Sequence, residues 1–181
     1  PHVTFFLNGG QEVRFSGEER ILVPSPKVLT YDTQPEMSAK IVTQELTNAI
    51  AKNEFGFIVV NYANPDMVGH TGNLKATIKA VETVDQCVGK VVESILDHNG
   101  TMLLTADHGN CEVMFDERRG IPHTAHTTNL VPTVLINAPH NAAHLKPGKL
   151  ADVAPTILDL MSIPKPKIMT GSSLLSVNRV V

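Results

Sequence analysis

Long apolar runs, runs of one charge and paired cysteines are all missing from this sequence of 181 residues, and each absence removes a class of function. The longest apolar stretches, Phe57 to Val60 and Val131 to Ile136, fall far short of the roughly 20 residues that a membrane-spanning helix requires. A soluble, cytoplasmic chain with no membrane partner is therefore expected. Its 15 basic and 18 acidic residues include no cluster of Lys or Arg, so neither nucleic acid nor an anionic surface is an expected partner. Cys87 and Cys111 are the only cysteines. They are too few for a disulfide framework and do not form a C-x-x-C pair, which fits a reducing compartment. No signal peptide is expected, and the sequence carries no internal repeat or low-complexity segment.

What is present suffices for one globular domain: 42% of residues are hydrophobic and 18% are charged, enough for a buried core. Pro1 has no Met before it, and the following residues read as a strand already under way, so a piece of a longer chain is expected. β-Branched and aromatic runs place strands at Val3 to Leu7, Phe57 to Asn61, Met102 to Thr105 and Val131 to Ile136. Helical spacing covers Glu36 to Lys52, with Pro35 near its first turn and Met37, Ile41, Leu46 and Ile50 as apolar positions. The longest pattern, Leu74 to Leu96, sets Leu74, Ile78, Val81, Val84, Val88, Val91 and Ile95 on one stripe before Asn99-Gly100 ends it. A shorter one runs from Asp152 to Met161. Gly9 to Pro26 reads as a surface excursion. Strands alternating with helices predict an α/β fold, a three-layer sandwich with a mostly parallel sheet.

In such a sheet ligands gather at the carboxyl ends of the strands, and three polar segments fall in the strand-end loops. Asn64-Pro-Asp-Met-Val-Gly-His70 separates Asp66 and His70 by four residues; Pro65 disfavours a helix before Asp66, so a loop is expected there. A capping Asp would give the same spacing. Thr105-Ala-Asp-His-Gly-Asn110 joins Asp107 to His108, and Gly109 permits the turn that would aim both at one site. His123-Thr-Ala-His-Thr127 adds two imidazoles. Of eight histidines, four lie in these three loops. Carboxylate and imidazole without thiolate suit Mn²⁺, Zn²⁺, Fe²⁺ or Co²⁺ better than Ca²⁺ or a structural zinc. Five candidate ligands exceed the needs of one four-coordinate ion, and paired ions point to phosphoryl transfer.

These segments, in this order, resemble the cofactor-independent phosphoglycerate mutases of the alkaline phosphatase superfamily. The likeness extends to Val3-Thr-Phe-Phe-Leu-Asn-Gly-Gly10, Ser25-Pro-Lys-Val28, Thr30-Tyr-Asp32, Gln34-Pro-Glu-Met37, Leu150-Ala-Asp-Val-Ala-Pro-Thr156 and Met169-Thr-Gly171. Leu7, where Phe is frequent, and Cys111, where a small residue is usual, depart from it. The resemblance implies an isomerase that interconverts 3-phosphoglycerate and 2-phosphoglycerate in glycolysis and gluconeogenesis, with two Mn²⁺ ions, no bisphosphoglycerate and a transient phosphoserine. It implies Asp66, His70 and His126 as ligands of one ion, and Asp107 and His108 as half the ligands of the other. His123, Asn110 and Thr127 would support these ligands from behind. Residues 1–181 would then be the C-terminal part of the phosphatase-like domain. The nucleophilic Ser, a further Asp, a catalytic Lys and a separate substrate-binding domain would all lie upstream of Pro1.

On this reading the parent enzyme is a monomer and this chain alone is inactive. Two other readings share the same ligands: another phosphatase or phosphomutase of the superfamily, and a non-catalytic metal-binding fragment.

Overall fold

The computed structural model describes residues 2–138 and 143–177. They divide into two compact units, Pro1–Ser94 with Asn110–Thr127, and Ile95–Gly109 with Thr128–Val181. His140 lies outside the described residues.

In the first unit the expected strand at Val3 to Leu7 is instead a π-helical turn, His2–Phe6. Its end folds back on itself, because the amides of Asn8 and Gly10 both donate to the Phe5 carbonyl. Helix α1 spans Ala39–Lys52, later than Pro35 suggested. Met37 sits at φ 44°, which breaks the helical path, and the Ser38 hydroxyl donates to the Pro24 carbonyl at 2.7 Å. The buried face of α1 is Ala39, Thr43, Leu46, Ala49 and Ile50; Ile41, expected inside, is exposed.

Asn64–Gly69 forms a short helix, α2, where a loop was expected. Pro65 sits in its first turn, where a missing N–H removes no hydrogen bond and the fixed φ favours helix initiation. Buried Asn64 fastens α2 to the chain before α1, its amide donating to the carbonyls of Pro35 and Glu36 at 2.9 and 2.8 Å. Val68 is fully buried and packs with Ala76 and Ala80 of helix α3, Leu74–Asp97, against Tyr31 and Met37.

The buried stripe of α3 is Ala76, Thr77, Ala80, Thr83, Cys87 and Val91. Leu74, Ile78 and Val81, expected to face the core, are 56%, 51% and 42% exposed. Small side chains therefore let the first half of α3 approach its neighbours with Leu74, Ile78 and Val81 outward, while Val91, expected inside, is buried. Asn73 caps the start, accepting the Ala76 amide at 3.2 Å. Asn99, at φ 53°, closes the end: its amide donates to Leu96 and that of Gly100 to Ile95, the paired bonds of a Schellman turn.

The segment expected as a strand at Phe57 to Asn61 is irregular, and Phe57, Ile58, Val59 and Val60 are all exposed. A hairpin that the sequence did not announce joins β2, Phe115–Asp116, to β3, Ile121–Pro122. Its turn is held by Asp116 Oδ1, which accepts the amides of Arg118 and Arg119, and by Gly120 at φ 68°.

The second unit contains β1, Met102–Thr105, antiparallel to β4, Thr133–Ile136, with Met102 opposite Ile136 and Thr105 opposite Thr133. Both match expected strands, β4 two residues shorter. A further ladder pairs β5, Ala143–Leu145, with β6, Leu175–Val177. Helix α4, Val153–Leu160, continues a 3-10 turn at Leu150–Asp152. Buried Asp152 organises this region, accepting the amides of Lys149 at 2.9 Å and Ser172 at 2.8 Å. These bonds hold its carboxyl below the ordinary 3.8.

Helices and strands are both present, as expected of an α/β chain, in the order of three α-helices, five short strands, a helix and a strand. The expected mostly parallel sheet is not assembled by the described residues, however, whose three ladders are all antiparallel. Parallel strands of such sheets are apolar on both faces because both are covered. Phe57 to Val60 has that composition and lacks that cover. No helix among the described residues is long and apolar enough to cross a membrane.

Candidate metal centre

The first unit brings three of the sequence-predicted ligands to one point. Helix α2 sets Asp66 and His70 one turn apart, with the His70 amide donating to the Asp66 carbonyl at 3.0 Å; residues four apart share a helix face. Asp66 Oδ1 lies 3.1 Å from His70 Nε2 and 3.0 Å from His126 Nε2. The two Nε2 atoms are 3.1 Å apart, completing a nearly equilateral triangle of one oxygen and two nitrogens.

His70 Nδ1 donates to the Thr124 carbonyl at 2.6 Å. A neutral imidazole with its proton on Nδ1 presents a bare lone pair at Nε2, and here that lone pair faces a carboxylate oxygen. Such a convergence is repulsive unless a proton or a cation lies among the three atoms. Metal bonds of about 2.1 Å at right angles place neighbouring donors about 3 Å apart, so the edges of the triangle suit a divalent ion. The backbone bond to Nδ1 is the kind of outer contact that fixes a ligating histidine's tautomer and ring orientation.

Asn110 lies against the triangle. Its Nδ2 donates to Asp66 Oδ1 at 2.7 Å, and Gly69 leaves the room this requires: a Cβ there would stand 2.5 Å from Asn110 Oδ1. Thr127, next to His126, donates its hydroxyl to Glu112 Oε1. Glu112 Oε2 accepts the Asn110 amide at 2.7 Å. Neither Glu112 nor the Thr124 carbonyl was singled out from the sequence. A backbone acceptor leaves no trace in side-chain chemistry, and Glu112 stands outside the histidine motifs, its place two residues after Asn110 being the one available hint. Cys111 lies between them, and burial first, then the nearby Glu112 charge, pushes its thiol above the ordinary 9.0.

His123 is not brought to the triangle by any described bond. Its Nδ1 donates to the Val113 carbonyl at 3.1 Å and its amide to that of Met114, so it pins its own loop to the segment before β2. Asp107 and His108 belong to the second unit, just beyond β1. There His108 Nε2 lies 3.7 Å from Asp107 Oδ1, and His108 Nδ1 is 3.3 Å from the Gly109 carbonyl.

With this geometry in hand, comparison with known proteins is specific. The family model described as the metalloenzyme superfamily matches residues 1–165. The chain is similar to the 2,3-bisphosphoglycerate-independent phosphoglycerate mutases of Thiobacillus denitrificans, 58% identical over 176 residues, and Gluconobacter oxydans, 58% identical over 175. That of Francisella philomiragia is 54% identical over 174 residues. The first two matches cover 97% of this chain and 34% of the relative, so the chain spans about a third of the length of the curated relatives it matches. Among solved structures it resembles a Leishmania mexicana phosphoglycerate mutase crystallised at low cobalt concentration, with a TM-score of 0.89 and 30% identity. That likeness covers 97% of this chain and 35% of the other, so the α/β architecture is that of a partial domain within a larger fold.

Proposed function

Since the chain belongs to the metalloenzyme superfamily, we propose that it is the C-terminal metal-binding part of a cofactor-independent phosphoglycerate mutase. The whole enzyme would interconvert 3-phosphoglycerate and 2-phosphoglycerate, as a cytoplasmic, monomeric enzyme of glycolysis and gluconeogenesis. The observation that carries this reading is the convergence of Asp66, His70 and His126 within 3.0 to 3.1 Å, in a chain so similar to such mutases along nearly all its length.

Asp66, His70 and His126 would hold one Mn²⁺. A divalent ion in such a pocket supplies Lewis-acid neutralisation of the charge that develops on phosphoryl oxygens during transfer. The chain's own residues prepare the pocket for it. The Thr124 carbonyl keeps the His70 proton on Nδ1, and the Asn110 side-chain Nδ2 donates to Asp66 Oδ1, the oxygen that faces the imidazoles. Asp107 and His108 would provide half of a second ligand set. A further Asp, the phosphorylated Ser, a catalytic Lys and the substrate-binding domain would belong to the remaining two thirds of such an enzyme. The chain alone is accordingly proposed to be inactive, and the exposed run Phe57 to Val60 supports a missing partner.

The test is an interconversion assay of full-length protein bearing these residues, with Mn²⁺. Activity that Asp66→Ala and His126→Ala abolish is the expected result. A preference for phosphopentoses or aryl phosphates would assign the parent to another phosphomutase or phosphatase instead.

A further inference from the structure

We propose that Glu112 is the positioning residue of the Asp66, His70 and His126 centre, a single carboxylate that ties the Asp66 side of the triangle to the His126 side. The inference rests on the metal-binding reading above and extends it to a residue outside the ligand set.

Each oxygen of Glu112 has its own donor. Oε2 accepts the Asn110 amide at 2.7 Å, and Oε1 accepts the hydroxyl of Thr127, fifteen residues further along the chain. From Asn110 the connection continues through Nδ2 to Asp66 Oδ1 at 2.7 Å; from Thr127 it passes through one peptide bond to His126. An ionised carboxylate only accepts, and it accepts at both oxygens, so one side chain serves an N–H and an O–H at once. Glutamine in its place would keep one acceptor and turn an NH₂ group against a donor.

The Asn110 end is held firmly enough to transmit the restraint. Asn110 is 5% exposed, and its Oδ1 is buried with no hydrogen-bond partner among the described residues. Its Oδ1 occupies the space that a Cβ on residue 69 would need. That side chain therefore gives up one hydrogen bond to present Nδ2 to Asp66.

The experiment compares the wild-type chain with Glu112→Gln and Thr127→Val, by calorimetric titration with Mn²⁺ and by hydrogen exchange at the Asn110 amide without metal. Glu112→Gln is expected to weaken Mn²⁺ binding about tenfold or more, the range for outer-shell partners of ligands, and to speed Asn110 exchange. Thr127→Val should weaken binding in the same direction and carries the test if the first variant does not fold. The double variant should be no worse than Glu112→Gln alone, because both changes cut one tie. Wild-type binding with equal affinity in both variants overturns the proposal, as does faster Asn110 exchange with unchanged affinity, which would make the contact structural only. A wild-type chain that takes up no Mn²⁺ overturns the metal reading itself, an outcome distinct from failure of Glu112 alone.

Discussion

His70 Nε2 lies 3.1 Å from His126 Nε2 although 56 positions separate them in the sequence. Asp66 Oδ1 lies 3.1 Å from the first and 3.0 Å from the second, and the Thr124 carbonyl and Asn110 Nδ2 bond to His70 and Asp66 from the side. The consequences reach beyond these three residues.

Gly69 should not tolerate a methyl group. Alanine is the better helix former by about 1 kcal/mol, but its Cβ would stand 2.5 Å from Asn110 Oδ1, and overpacking typically costs about 1–3 kcal/mol. The steric effect should win. Chemical denaturation of Gly69→Ala should show net destabilisation together with weaker Mn²⁺ binding; a stabilised variant would mean that Asn110 moves freely.

The run Phe57 to Val60 should behave as a surface in this chain and as a core in the whole enzyme. Phe57→Ser is expected to change the stability of the isolated chain by no more than about 0.5 kcal/mol, as at other exposed sites, and to raise its solubility by breaking an apolar patch. The same change in the full-length enzyme should be clearly destabilising. Equal effects in the two settings would count against a missing sheet.

Asp152 gives a pH dependence whose sign is fixed by its bonds. The amides of Ser172 and Lys149 hold its folded-state value below the ordinary 3.8. Its contribution is therefore complete above that ordinary value and is lost as pH falls through the depressed one. Thermal melts from about pH 7 to about pH 3 should show the wild-type chain losing stability at the acid end, with a shallower decline in Asp152→Asn. Parallel profiles would refute this role.

Cys111 should react slowly. With its thiol raised by burial and then by Glu112, less thiolate is available at mildly alkaline pH than in a free cysteine, and the thiolate is the reactive form. Alkylation followed by mass spectrometry should find it slower than a free thiol and faster again in Glu112→Gln. A rate equal to free cysteine would contradict the burial.

Asp66, His70 and His126 are legible as candidates because metal chemistry leaves few residue types to choose from, and the structure brings these three together. Helix α2 is not legible, because proline disfavours helix in the residue before it, whereas Pro65 occupies the first turn, where proline favours a helix. The face of α3 is legible only in part, with Val91 buried as its spacing predicts and Leu74, Ile78 and Val81 exposed. Periodicity ranks residues by size and apolarity, and its stripe through Leu74, Ile78 and Val81 is real, but close packing of Val68 against the helix selects Ala76 and Ala80 instead. The strand signal at Val3 to Leu7 and Phe57 to Asn61 is one of composition, which cannot tell whether a pairing neighbour exists. Glu112 escaped because its role depends on two bonds set by loop geometry.

The most direct test of the central claim is a calorimetric titration of this chain with Mn²⁺, alongside Asp66→Ala and His126→Ala. A single site of useful affinity is predicted, lost in both variants, with the Asp107 and His108 pair too poor in ligands to hold a second ion tightly. Two tight sites, or one that survives both substitutions, would contradict the assignment.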